Sequence, residues 1–240
     1  MGNEGGEWIL RGLSWSDKEC LHSPGELVDY VNHVGFLPLF AGEIPGFSAE
    51  EHTAAEYWWT AIEERDPWVW REILSRGGEV AYGKFFGKKS GFVSKEWFPR
   101  FVNFRRDGYD FDSLYEDGKA NIRAKKIMDV FAEHTDLMSF ELKRLAGFGK
   151  NGEKNFEGTV TELQMRGYLV ACDFRRRRDK HGEEYGWTIT AYATPEQRWG
   201  YDWVTSAYSE EPAQSQKAIL AHLQELYPQA TEAQLRKAIK

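Results

Sequence analysis

At 240 residues, with 41% hydrophobic and 29% charged side chains, the chain has the make-up of a globular protein that buries one sizeable core or two small ones. No apolar run approaches the roughly 20 residues of a membrane helix, and the acidic start MGNEGGEW lacks the basic head and apolar stretch of a secretory signal. The net charge of −7 argues against a strong nonspecific DNA binder but is unevenly spread: residues 1–66 carry 13 acids against 3 bases, Lys84–Lys126 carries 11 bases against 6 acids, and Lys143–Lys180 carries 10 against 5.

In chain order, the first expected element is a helix over SPGELVDYVNHVG (residues 23–35). A longer one follows around SAEEHTAAEYWWTAIEER (48–65), with Ser48 as N-cap and Glu51 completing a capping box. Pro67 then stands at the favoured first-turn position of a helix DPWVWREILSRGG. Trp58, Trp59, Trp68 and Trp70 read as core, or alternatively as an aromatic cleft that stacks a flipped base. Next, Tyr82, Phe85 and Phe86 lie among Lys84, Lys88 and Lys89, a mixture that supplies stacking and phosphate neutralisation or, equally, a core strand with basic flanks. An acidic join near Asp107–Asp117 leads into the most telling stretch.

Residues 119–192 run helix, helix, helix, hairpin, the order of a winged helix. KANIRAKKIMDVFAEH places Ala120, Ala124, Ile127, Met128 and Phe131 on one helical face. Ser139 offers an N-cap for SFELKRLAG, stopped by Gly147 and Gly149. Asn155 offers one for NFEGTVTELQMRG, whose buried stripe is Phe156, Val160 and Leu163. The strand-like runs YLVACDF and YGWTITAYA are joined by RRRRDKHGEE, so Arg175, Arg176, Arg177, Arg178, Lys180 and His181 are expected at the hairpin tip. After Thr194 come a short aromatic segment and two helices broken at Tyr227-Pro228, the second capped by Thr231. The expected fold is therefore α+β and helix-rich. It divides into a mixed aromatic N-terminal region (1–110), a winged helix-turn-helix core (111–193) and a helical C-terminal tail packed on the rest (194–240).

Other motifs lead nowhere. Gly78–Phe85 nearly spells a phosphate-binding loop, but Phe85 replaces the hydroxyl that would hold magnesium. Gly147–Gly152 matches a dinucleotide fingerprint letter by letter, yet it follows a helix rather than a strand. Neither the six histidines nor Cys20 and Cys172 show metal-ligand spacing, so no metal, cofactor or catalytic nucleophile is expected. The cysteines read as reduced structural thiols of a cytoplasmic protein. The start also fails as a myristoylation signal, because Gly6 stands where a hydroxyl is needed.

The segments YWWTAIEERDPWVWREIL (Tyr57–Leu74) and GEVAYGKFFGKKSGFVSKEWFPRFVNFRRD (Gly78–Asp107), followed by the winged helix, resemble the AlkZ-type winged-helix DNA glycosylases. Asp66-Pro67, Gly91-Phe92-Val93-Ser94 and Trp97-Phe98-Pro99-Arg100-Phe101 before Arg105-Arg106 hold the corresponding places. The likeness, over roughly Ser23 to Tyr192, implies a DNA-binding protein of a family that is built from tandem winged helices and excises alkylated or crosslinked bases; this chain resembles an abbreviated relative. In that family a Gly and two apolar residues precede Gln-x-Gln or Gln-x-Asp, which hold the hydrolytic water. The matching stretch here is Gly35–Phe40, with Pro38 and Phe40 at the polar positions. Neither side chain orients or deprotonates water. Catalytic residues are therefore expected to be absent, with Glu43 the one replacement weighed.

The resulting expectation is double-stranded DNA binding. Thr159, Thr161, Glu162 and Gln164 would face a groove, Lys154 and Arg175–Arg178 with Lys180 would contact phosphate, and Lys84, Lys88 and Lys89 would extend the phosphate path. Two alternatives stay open: a divergent glycosylase acting on alkylated bases, and a protein-interaction module using the acidic N-terminal region. No membrane association is expected.

Overall fold

The computed structural model describes residues 2–4 and 7–240, with burial described from Ile9 onwards. The reading of the extreme start, including Gly6, therefore lies outside the described residues. The fold is mixed α+β, built of short helices and small antiparallel sheets. No helix among the described residues is long and apolar enough to cross a membrane. The chain separates into two compact units, residues 1–98 with 217–240, and residues 99–216.

The first unit begins with a small hairpin, β1 (Gly2–Glu4) and β2 (Glu7–Ile9). Helix α1 (Pro24–Val34) starts where Ser23 accepts a hydrogen bond from Glu26 N and ends at Gly35, whose φ of 77° suits glycine. Strand β3 (Phe36–Pro38) pairs with β5 (Lys89–Ser94), which pairs with β4 (Val80–Phe86). Pro38, which has no N–H to donate, sits on the edge strand of this sheet. It lies opposite Gly91, where a Cβ would come within 2.6 Å of Leu37 O and 2.5 Å of the Phe86 ring. Helix α2 (Pro67–Gly77) has Asp66 as its cap, accepting from Trp68 N at 2.8 Å. The unit's core includes Leu27, Val31, Phe36, Trp70, Phe85 and Phe92.

The long helix expected over residues 48–65 does not form. The chain makes three 3-10 turns instead: Glu50–His52, Ala55–Tyr57 and Glu63–Arg65. Ser48 Oγ accepts from Glu51 N, one half of a capping box, while the Glu51 carboxylate accepts from Ser48 Oγ and Gly46 N instead of Ser48 N; tertiary bonds displace the helix ladder. Thr53 and Ala54 bridge to Leu21 and Leu13. The fully buried Glu50 carboxylate accepts Arg11 N at 2.7 Å and Ala41 N at 2.9 Å. Truncation by Glu50→Ala strands the buried Ala41 N–H and should cost about 2–3 kcal/mol in urea unfolding. A loss below about 0.5 kcal/mol, the scatter of ordinary surface changes, would show that this carboxylate does not tie the segments together.

The second unit contains α3 (from Phe98–Arg106, counted from Pro99), α4 (Phe111–Glu116), α5 (Ile122–Val130), β6 (Leu137–Met138), α6 (Ser139–Leu145), α7 (Phe156–Met165), β7 (Val170–Arg178), β8 (Glu184–Ala193), α8 (Pro195–Trp199) and α9 (Tyr201–Val204). The acidic join thus contains a helix of its own. The sheet order is β6-β8-β7, all antiparallel. Its core gathers Ala124 and Ile127 of α5, Leu142 of α6, Phe156, Val160 and Leu163 of α7, and Tyr192 of β8. Two caps differ from expectation. Ser139 is the first helical residue of α6, and the Glu141 carboxylate accepts from Met138 N instead. Asn155 adopts a left-handed conformation and makes no side-chain cap bond.

Helix α10 (Pro212–Leu226) begins in the second unit and continues in the first, where α11 (Glu232–Ala238) follows the break at Pro228 under a Thr231–Gln234 capping box.

Candidate nucleic-acid interface

The hairpin β7–β8 differs from its sequence reading in one respect. The arginines are not at the turn: Arg175–Arg178 lie on strand β7, and only Lys180 and His181 lie in the loop after it. The strand carries on because Arg177 and Arg178 find ladder partners in Tyr185 and Glu184. Buried Val170, Cys172 and Phe174 anchor its base. Beyond Phe174 every residue through Trp187 is exposed, so this part of the hairpin stands clear of its unit's core.

The arginines differ in how far they are engaged. Arg175 bonds Asp136 at 2.5 Å and Asp173 at 2.7 Å. Burial by itself would lower its pKa, but these two bonds outweigh it and hold the value above the ordinary one. Arg178 pairs with Glu184 at 3.1 Å across the strands, a largely exposed contact of the kind worth about 0–1 kcal/mol. Arg177 lies 4.9 Å from the centre of the Phe140 ring. Among the described residues neither Arg176 nor Arg177 is ion-paired. From Asp173 to Glu184 the hairpin has five Lys and Arg against four Asp and Glu, so its cationic character depends on those two side chains and on how readily Arg178 exchanges its partner.

Helix α7 corrects a second expectation. Thr159 and Gln164, assigned to an outward face, are 4% and 3% exposed. The buried stripe is Phe156, Thr159, Val160, Leu163 and Gln164, a full set of i, i+3, i+4, i+7, i+8 positions of which the apolar residues mark only part. Both polar side chains turn back on their own helix, Thr159 Oγ1 donating to Asn155 O at 2.9 Å and Gln164 Nε2 to Val160 O at 3.4 Å. Thr161 is half-buried. Glu157 and Glu162 are exposed, so the outer face of α7 carries carboxylates and no lysine or arginine outside its half-buried end at Arg166. Lys154, just before the helix, is exposed, but its Nζ donates to Gly149 O and Lys150 O, both at 2.7 Å.

In the first unit, Lys84 is half-buried on β4, while Lys88 and Lys89 are exposed at the β4–β5 turn. Gly87 and Lys88 both take positive φ there, 55° and 71°, as a two-residue hairpin turn of the I′ kind requires. Gly78–Phe85 runs largely as strand β4 and forms no phosphate loop.

The Gly35–Phe40 stretch holds an aromatic cluster. Pro38 is buried, and the half-buried Phe40 ring lies 5.2 Å from Trp58, 6.2 Å from Trp59 and 6.3 Å from Trp68. Trp59, expected in the core, is 48% exposed and holds a left-handed φ of 59°, a conformation costly for a bulky side chain. Behind the cluster, the buried Arg71 guanidinium sits 3.7 Å over Trp68, and burial raises the pKa of the Asp66 carboxyl. Glu43 is exposed and ion-paired with Lys237. Both thiols are buried, and burial pushes Cys172 up to about 11, which leaves it protonated and unreactive at neutral pH. Among the described residues no group of three or more His, Cys, Asp or Glu side chains is arranged to hold a metal.

The sequence reading missed the aromatic side chains of β8. Tyr185 is 50% exposed and Trp187 is 93% exposed, on the same hairpin as the unpaired arginines.

A family model described as AlkZ related matches residues 21–240, most of the chain. No curated protein and no solved structure gives a significant match.

Proposed function

The chain belongs to the AlkZ-related family, and from that premise we propose that residues 111–193 are a winged-helix domain that binds double-stranded DNA without the family's hydrolytic chemistry. The observation that carries the reading is the arrangement α5–β6–α6–α7–β7–β8 with sheet order β6-β8-β7, which sets a long, exposed, arginine-bearing hairpin next to a three-helix core. In such domains the hairpin meets the phosphate backbone. Here Arg176, Arg177 and Lys180 are the side chains suited to that contact, with Arg178 recruited by trading Glu184 for phosphate. Lys154 and Arg175 are assigned a lesser part, because their polar groups already have partners.

Insertion of α7 into a groove is the weaker component. Thr159 and Gln164 are buried, and the exposed Glu157 and Glu162 would meet phosphate with like charge. These carboxylates favour a second reading, in which the domain docks on a basic protein surface. The proposed loss of hydrolysis rests on Pro38 and Phe40, neither of which carries a group that could orient or deprotonate a water. A gel shift with undamaged and alkylated duplex, repeated at rising salt, separates the readings. Equal, salt-sensitive binding supports the proposal. Absence of binding points to the protein module, and release of free base from the alkylated duplex would restore glycosylase chemistry.

A further inference from the structure

The hairpin carries one large apolar side chain, Trp187, almost wholly in solvent. Between the pairs Arg175↔Ile189 and Arg177↔Tyr185, the single residue Arg176 of β7 faces three residues of β8: Gly186, Trp187 and Thr188. The two strands are out of step there, a bulge in β8 made feasible by the left-handed φ of 76° at Gly186. The bulge turns Trp187 outward until 93% of it is exposed, while Tyr185 beside it remains half exposed. A large indole held in water by a distorted strand is contrary to what folding favours, and bulges commonly serve to re-aim a side chain for function.

We propose that Trp187 is a stacking wedge that enters a DNA base step when the hairpin's arginines contact phosphate. The chemistry that selects this occupant is the combination of a planar apolar ring with the unpaired Arg176 guanidinium directly across the bulge and Arg177 one residue further on. A duplex offers that pattern in reverse, with flat bases flanked by phosphate. Apolar wedges of this kind partly unstack a step and bend the helix, and stacking on an aromatic side chain is tolerant of sequence. The inference rests on the DNA-binding reading and adds a separate event to it, the opening of a base step.

The test uses the full chain and a fluorescein-labelled duplex carrying 2-aminopurine, whose emission rises on unstacking. At saturating wild-type protein, the 2-aminopurine signal should rise severalfold alongside the anisotropy increase that reports binding. Trp187→Ala should weaken affinity by roughly 5- to 150-fold and, at protein concentrations that restore saturation, give no 2-aminopurine rise. Trp187→Phe should keep part of it. Because the ring is almost wholly in solvent, the thermal melt of Trp187→Ala should match the wild type. An equal 2-aminopurine rise in Trp187→Ala, or wild-type binding without any rise, overturns the wedge while leaving DNA binding intact. Absence of wild-type binding removes both.

Discussion

Replacing Arg175, Arg176, Arg177 and Arg178 together by glutamate is expected to lower duplex affinity at least about 100-fold at low salt. The hairpin segment from Asp173 to Glu184 would pass from five cations against four carboxylates to Lys180 alone against eight, turning attraction into repulsion. The more diagnostic quantity is the salt dependence, since each lost phosphate contact reduces the slope of log affinity against log salt by about 0.9. Arg176 and Arg177 have no carboxylate to give up, so a reduction of about 2 is expected from them, rising toward 4 if Arg175 and Arg178 also release theirs. The fold should tolerate the changes at Arg176, Arg177 and Arg178, because the buried part of the hairpin ends at Phe174, whereas Arg175→Glu gives up the bonds to Asp136 and Asp173 and carries a stability cost. Wild-type affinity and an unaltered slope in this variant would rule the hairpin out as the DNA contact, whatever α7 does.

Arg106→Met is expected to destabilise the second unit by about 3–5 kcal/mol, the usual cost of breaking a buried ion pair from one side. Arg106 is 2% exposed and bonds three groups: Glu196 Oε1 at 2.5 Å, Gly167 O at 2.6 Å and Tyr208 OH at 3.3 Å. Its guanidinium also lies 4.4 Å from the Tyr168 ring centre. Burial alone would lower its pKa, yet Glu196 and Tyr208 outweigh that and raise it, so the group stays charged. The partner carbonyl belongs to Gly167, the turn from α7 into β7. This residue takes φ 74° and has Val102 within 2.7 Å of where a Cβ would be. Arg106 thus fixes the end of α3 to the turn that aims the hairpin. A double-mutant cycle with Glu196→Gln isolates the ion pair, whereas Arg106→Lys tests the planar fork, which one ammonium does not reproduce. A loss under about 1 kcal/mol in urea unfolding of Arg106→Met would show that solvent or a rearranged neighbour replaces these bonds.

Most of the elements were legible in the sequence because their signals are local. Pro67 opens α2 in its first turn, Thr231 caps α11 by accepting from Gln234 N, and Pro228 breaks the C-terminal helices where expected. The apolar stripe of α5 and the paired strands of the hairpin follow from periodicity of 3.6 and of 2. Family membership was legible for a similar reason, in the order of short motifs from Asp66-Pro67 to Arg105-Arg106.

What the sequence by itself determined is most of the local structure, the mixed α+β class and the family to which the chain belongs. Tertiary structure alone decided which polar groups are spent inside the fold. Glu50 dissolved an expected helix by satisfying backbone N–H groups from distant segments, and the wide buried stripe of α7 took in Thr159 and Gln164. The bulge at Gly186 turned an ordinary strand tryptophan into the most exposed large apolar side chain among the described residues. The physical reason is common to all three. Burial and hydrogen-bond pairing depend on which segments meet in space, and a residue's type states its capacity to bond without naming the partner.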